Sequence, residues 1–272
     1  IKVLPPDINM SFQDFTVDAS ASSPQAGGAI RFGLLAIKNV GTNIVNVIIE
    51  ERSRGGPYAG LTNFLERIHH RDLNKKSLES LIKSGAFDSL GIERGQALEN
   101  IEEILRFNQA AKKSAVSSQN SLFSGAALAT SLRMKPAAAA DKKSKLLWEK
   151  ELLGLYLTDH PMNAYMDKVK DIASPIRNVL KMKASDGASD RGPRVRLAGI
   201  ISGVQQIFTK TGQPMLFVTL EDLSDNMEML VFSDTLSKYQ NLFQENKAIL
   251  ASGRVSWRGD EPKLICDAVK EL

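Results

Sequence analysis

Apolar residues recur every third or fourth position from Phe32 to about Phe107 and every second position from Arg194 onward. The chain therefore reads as helical in its first half and as strands at its end. Two apolar segments, one beginning at Phe32 and one running from Ile44 to Ile49, flank Asn39, Val40 and Gly41, which predicts helix, tight hairpin, helix. After the break at Gly55-Gly56-Pro57, a short helix is expected over Leu61 to Arg67. Leu73, Leu78, Leu81 and Ile82 then form one stripe of a helix that Gly85 ends. Ala97, Leu98, Ile101, Ile104 and Leu105 form the inward stripe of another helix starting at Ile92 or Glu93, so 73–107 reads as a degenerate second copy of the first unit. A further helix is expected from Leu146 to Leu157, closing near Thr158-Asp159-His160-Pro161, with a helical turn or two over Met162 to Val169. Before all of this, Pro5-Pro6 imposes an extended start and Phe12 to Val17 alternates like a short strand.

The hairpin is the part with chemistry in it. Asn39 and Gly41 are residue types that tolerate a left-handed backbone, Val40 can plug the core between them, and Thr42 or Asn43 is expected to cap the following helix. Unpaired amides at the turn would then face outward beside the positive end of a helix dipole, a surface suited to a phosphate, with Lys38 adding charge at the entry. Lys38, Asn39, Val40, Gly41, Thr42 and Asn43 are accordingly the expected phosphate-backbone contacts. The pattern resembles the helix-hairpin-helix motif of sequence-independent DNA-binding proteins, whose hairpin is usually Gly-hydrophobic-Gly; here Asn39 replaces the first glycine.

At the other end, strands are predicted over Arg194 to Phe208, with Gly199 and Gly203 as bend or bulge positions, then Met215 to Leu220 and Met227 to Phe232. A helix capped by Asp234 follows, and Ala248 to Trp257 and Lys263 to Val269 complete the set. Five strands with a helix between the third and fourth is the order of an OB-fold, a small barrel that binds single-stranded nucleic acid through one face and its loops. Arg196, Phe208, Lys210, Phe217, Arg254, Trp257 and Arg258 are the candidates on that face or rim.

Composition narrows the picture without deciding it. The 272 residues suffice for two modest domains, and 43% hydrophobic with 24% charged residues is what a soluble protein carries. No apolar run is long enough to span a bilayer, and no membrane partner is expected. A single cysteine, Cys266, forbids an internal disulfide and fits a cytoplasmic protein. The net charge of +4 permits nucleic-acid binding without requiring it. Ile at position 1 is expected of a piece of a longer chain. His69 and His70 are adjacent and point to different faces, so they do not make a two-ligand metal site, and His160 is placed by the turn before Pro161.

Between the two ends, residues 113–145 hold Ser, Ala, Lys and Pro without a sustained period and read as a flexible linker. Within it, Gln119-Asn120-Ser121-Leu122-Phe123 sets two large apolar residues side by side in a polar tract, as anchors for a partner's pocket.

In this order the pieces resemble the C-terminal half of the bacterial replicative DNA polymerase III alpha subunit family. The residues that carry the resemblance are Lys2 to Asn9, Ile30 to Leu34 with Ala36 to Gly41, Leu81 to Asp88, Glu151 to Pro161 and the terminal barrel. The resemblance implies an α+β multidomain chain. Residues 1–31 would be the end of the polymerase fingers and 32–112 an all-α tandem helix-hairpin-helix domain on duplex DNA. Residues 113–145 would be the linker, 146–191 a helical connector and 192–272 a five-stranded OB-fold near single-stranded template. Gln119, Leu122 and Phe123 match the family's motif for the beta sliding clamp, so the clamp and other polymerase III holoenzyme subunits are implied partners. The catalytic aspartates are absent, since neither Asp186 with Asp190 nor Asp222 with Asp225 has a strand context for two metal ions. No cofactor is expected in this fragment, and Mg2+ belongs to the full-length polymerase. Alternative readings are the same segment of an error-prone paralogue and a non-catalytic tRNA- or RNA-binding module.

Overall fold

The computed structural model describes residues 2–18, 28–120, 132–182, 192–257 and 261–272. It falls into two compact units, residues 1–159 and 160–272, so the division lies inside the stretch 146–191 that the sequence pattern joins into one connector.

The first unit opens on a small sheet of β1 (Lys2–Leu4), β2 (Thr16–Asp18) and β3 (Ala29–Arg31), with β3 central, parallel to β1 and antiparallel to β2. The expected alternating strand at Phe12 to Val17 is thus displaced toward its C-terminal end. Among the described residues eight elements of helix follow or flank it: a 3-10 turn at Leu34–Ala36, then α1 (Thr42–Gly55), α2 (Leu61–Arg67), α3 (Lys75–Lys83), a 3-10 turn at Asp88–Leu90, α4 (Arg94–Glu99), α5 (Ile101–Asn120) and α6 (Lys142–Leu153).

Their apolar stripes meet in one core. Ile44, Val45 and Ile48 of α1 pack with Leu61, Phe64 and Leu65 of α2 and with Leu78, Leu81 and Ile82 of α3. Phe64 stands edge-on to both Tyr58 and Phe87, with ring centroids 5.0 Å apart in each pair, a favoured aromatic geometry. Two polar side chains reach backbone partners inside this core: the Tyr58 hydroxyl donates to the Ile48 carbonyl at 2.8 Å, and Arg52 Nη1 donates to the Ile8 carbonyl at 2.9 Å.

The helix expected from Ile92 to Phe107 is broken at Asn100 into α4 and α5. Asn100 spends its side chain on a neighbour, donating from Nδ2 to the Lys135 carbonyl at 3.0 Å and accepting the Lys135 amide at 2.7 Å. That pairing also explains why part of the expected linker is ordered. Helix α5 runs on to Asn120, Leu132 and Met134 pack on the core, and Asp141 caps α6 by accepting the Ser144 amide at 2.6 Å. Helix α6 ends at Leu153, four residues short of Leu157, because its C-cap Gly154 turns left-handed at φ 79°.

The second unit begins with a 3-10 turn at Pro161–Tyr165, α7 (Met166–Val169) and α8 (Ile176–Leu180). Then come β4 (Arg194–Phe208), β5 (Pro214–Glu221), β6 (Asn226–Val231), α9 (Ser233–Tyr239), β7 (Ala248–Ser256) and β8 (Lys263–Glu271). The strands close into a barrel in the order β4-β5-β6-β8-β7. Strand β4 serves both ends of the closure, its first half paired with β7 and its second with β5, and the register shifts between Ile201 and Gly203 where it changes partner. A second shift lies at Gly253, where a Cβ would come within 2.0 Å of the Ile265 carbonyl oxygen. Asp234 lies in the first turn of α9 and does not cap it; the cap position is Phe232, without a side-chain bond.

Candidate nucleic-acid interface

In the hairpin, Asn39 has φ 69°, so the turn is left-handed at the position where an asparagine replaces glycine. Val40 is buried and its amide donates to the Ile37 carbonyl at 3.1 Å, which pins the turn to the core from inside. Gly41 is not left-handed: it sits at the N-cap of α1 with φ −90° and ψ 164° and contributes no side-chain cap. The expected cap by Thr42 or Asn43 is likewise corrected. Both lie inside the helix, and Asn43 Nδ2 instead donates to Asp72 Oδ2 at 3.1 Å. The first backbone bond of α1 runs from the Val45 amide to the Gly41 carbonyl at 3.2 Å, leaving the amides before it without an intrahelical acceptor. Lys38, Asn39, Gly41, Thr42 and Asn43 are all exposed. Asn39 Nδ2 donates to Ser80 Oγ at 3.2 Å and the Lys38 amide to the Leu152 carbonyl at 3.0 Å, so the turn is fixed from α3 and α6 as well.

The arrangement is a rigid loop presenting open amides at the positive end of a 14-residue helix, with nothing within 4 Å of where a Gly41 Cβ would project. Such a surface suits an anion whatever the base. The first helix of the pattern, however, is only the 3-10 turn Leu34–Ala36, since Phe32 and Gly33 continue the chain from β3.

On the barrel, alternate residues of β5 and β6 (Leu216, Val218, Leu220; Met227, Met229, Val231) fill the core, which turns Phe217 and Leu230 to the outer face. Cross-strand pairing then sets out one row around the barrel: Gln205 opposite Phe217, Phe217 opposite Leu230, Leu230 opposite Ile265, Ile265 opposite Arg254, and Arg254 opposite Arg194. Arg196 stands beside this row, opposite Ser252. Phe217 is half-buried because Lys263 lies over its ring at 5.5 Å, and Lys263 Nζ also donates to Glu228 Oε1 at 2.5 Å.

Phe208, 67% exposed, ends β4 beside the turn that holds Lys210. Trp257 is partly packed into the barrel core, and its Nε1 donates to the Met182 carbonyl at 3.3 Å, so its ring is held at the barrel wall. The structure therefore gathers Arg196 and Arg254 with Arg194, sets Phe217 with Lys263, and leaves Phe208 and Lys210 at a hairpin tip. Pattern reading missed Arg194 and Lys263; cross-strand register is the signal that finds them, and register is not legible from either strand alone. Asp222 accepts the amides of Ser224 and Asp225 at 2.7 and 2.9 Å and that of Ile176 at 2.7 Å, the work of a turn and of a tie to α8.

Gln119 lies in α5, while Leu122, Phe123 and Arg258 lie outside the described residues. Among the described residues no three His, Cys, Asp or Glu side chains gather as a metal site, and no helix is long and apolar enough to cross a membrane.

Two family descriptions match the chain: a helix-hairpin-helix motif over residues 1–97 and an OB-fold nucleic acid binding domain over residues 195–272. Among curated proteins, DNA polymerase III subunit alpha of Borreliella burgdorferi is 34% identical over 100% of this chain and 23% of its own length. The protein of the same name from Neisseria meningitidis serogroup A is 35% identical over 100% and 23%. That of Escherichia coli K12 is 32% identical over 94% and 21%. The chain thus spans less than a quarter of the length of these relatives.

Proposed function

The chain is homologous to a segment of the DNA polymerase III alpha subunits, and on that premise we propose that it is the part of such a polymerase that holds nucleic acid without performing the chemistry. Nucleotidyl transfer, with its Mg2+, would belong to other parts of the polymerase. The hairpin of α1 would grip duplex primer-template through phosphates, and the outer face of the barrel would hold single-stranded template. Gln119, Leu122 and Phe123 would tether the chain to the sliding clamp, in the cytoplasm and alongside the other holoenzyme subunits.

The observation that carries the reading is the hairpin itself: a left-handed Asn39, a buried Val40 and an uncapped, exposed start of α1. A phosphate at that place meets amides and a helix dipole, and no group there distinguishes one base from another. On the barrel, Phe217 offers a ring face and Arg194, Arg196 and Arg254 offer charge along one wall, the two ingredients of sequence-tolerant single-strand binding.

The test is equilibrium binding of the chain to primed duplexes of unrelated sequence over a range of salt. Equal affinities and a log–log salt slope of about −0.9 per phosphate contact are expected. A flat salt response, or a preference for RNA over primed DNA in competition, would overturn the reading. The clamp tether is tested apart from it, by titrating sliding clamp with the chain and with a Leu122→Ala, Phe123→Ala variant; binding that survives the double change would remove that element.

A further inference from the structure

The turn between α2 and α3 and the facing side of α5 enclose a cleft lined by His69, His70, Arg71, Lys75, Gln109 and Lys112, among others. It adjoins the hairpin: Asn43, in the first turn of α1, donates to Asp72 at 3.1 Å, and the Asp72 amide donates to His70 Nδ1 at 3.2 Å. We propose that this cleft is a second phosphodiester site, continuous with the hairpin, that takes a neighbouring phosphate of the same nucleic-acid backbone. The inference rests on the duplex reading above.

Three features point to an anion. Arg71, which pairs with Asp72 at 3.7 Å, and Lys112 are exposed, and Lys75 adds a third cation, shared with Glu102 at 2.6 Å. His70 accepts the Asp72 amide on Nδ1, so a neutral ring carries its hydrogen on Nε2 as a donor. His69 Nε2 is buried and has no hydrogen-bond partner, while the ring also bonds the Leu65 backbone. That atom has no partner among the protein's own groups, and once protonated it would donate to an anion seated in the cleft.

The charged and titratable groups around the cleft set the response of His69. His70 and Arg71 line it from the turn, Lys75 from α3 and Lys112 from α5, with Asp72 paired to His70 and Glu102 to Lys75. Burial first, then Lys112, holds the His69 imidazole below its ordinary value, which favours the neutral ring in the free protein. A phosphate would offset Lys112 and accept a hydrogen bond from a protonated Nε2. Binding would then take up a proton, and affinity would rise as pH falls into and below the ordinary imidazole range.

The experiment is duplex binding by the full chain across salt and pH, with NMR observation of the His69 imidazole. For Lys112→Ala, an exposed position, the salt slope should become shallower by about 0.9 and affinity fall several-fold. For His69→Gln, the affinity should match the parent at pH 8 and lose the parent's tightening below pH 6.5. Duplex, and inorganic phosphate at higher concentration, should each move the His69 titration upward in the parent chain. Tight duplex binding with an unchanged Lys112→Ala slope and an unmoved His69 titration would overturn the cleft and leave the hairpin reading intact. A phosphate-induced shift of His69 in a chain that ignores duplex would uphold the anion site and overturn the duplex reading.

Discussion

Asn39 and Gly41 divide the two properties that a glycine pair would share. The left-handed backbone falls on Asn39 alone, so Asn39→Val should cost about 1–2 kcal/mol, while Asn39→Gly should be near neutral, as read by urea denaturation. Gly41 has an ordinary extended backbone and open space around its missing Cβ. Gly41→Val should therefore leave Tm within a degree or two and weaken duplex binding several-fold, by standing where a phosphate approaches. A large loss of Tm in that variant would mean that the glycine serves the fold rather than the surface. This separation was not readable beforehand: both residue types permit φ above zero, and only the folded turn shows which one uses it.

Among the elements, α6 depends on a single buried carboxylate. Glu149 is 1% exposed, yet it accepts the Leu157 and Thr158 amides at 3.0 Å each and the Thr158 hydroxyl at 2.9 Å, and lies 3.6 Å from Arg94 Nη1. Arg94 in turn donates to the Lys83 carbonyl at 3.0 Å and pairs with Asp88 at 2.6 Å. One ion network thereby fastens the end of α3, the start of α4 and the turn after α6. Glu149→Ala would take the acceptor from two part-buried amide bonds and weaken the hold on the buried Arg94, for a cost of about 2–3 kcal/mol in denaturant. Faster amide exchange at Leu157 and Thr158 should accompany it; exchange at parental rates would show that solvent already satisfies that turn. Because α6 also supplies the Leu152 carbonyl to Lys38, the same variant should loosen the hairpin.

For the molecule as a whole, each unit carries a titratable reporter in its own core. Burial pushes the Tyr58 phenol up to about 12 in the first unit, and burial together with Asp267 pushes the Cys266 thiol up to about 12 in the barrel. Both groups bind their proton more tightly folded than unfolded. The stability they contribute is complete below pH 9 for Cys266 and below pH 10 for Tyr58, and is lost as pH rises toward 12. Urea midpoints should fall over that window, and Cys266 should resist alkylation at pH 8 until the barrel unfolds. Rapid alkylation of the native chain would contradict its burial. The sequence by itself determined most of the helices and the barrel strands and their order, because apolar period is a local property: the five barrel strands and α9 lie within a few residues of their expected places, although the helix expected from Phe32 is only a 3-10 turn. It also determined the left-handed hairpin, since Asn-Val-Gly between two apolar segments leaves the backbone little else to do. Tertiary structure alone decided that α5 outruns Lys112, that Asn100 breaks a helix to hold Lys135, that Glu149 ends up buried, and that Arg194 joins Arg254 on one wall. Each of these depends on a partner far along the chain, and no local pattern encodes which distant carbonyl, amide or strand will stand opposite.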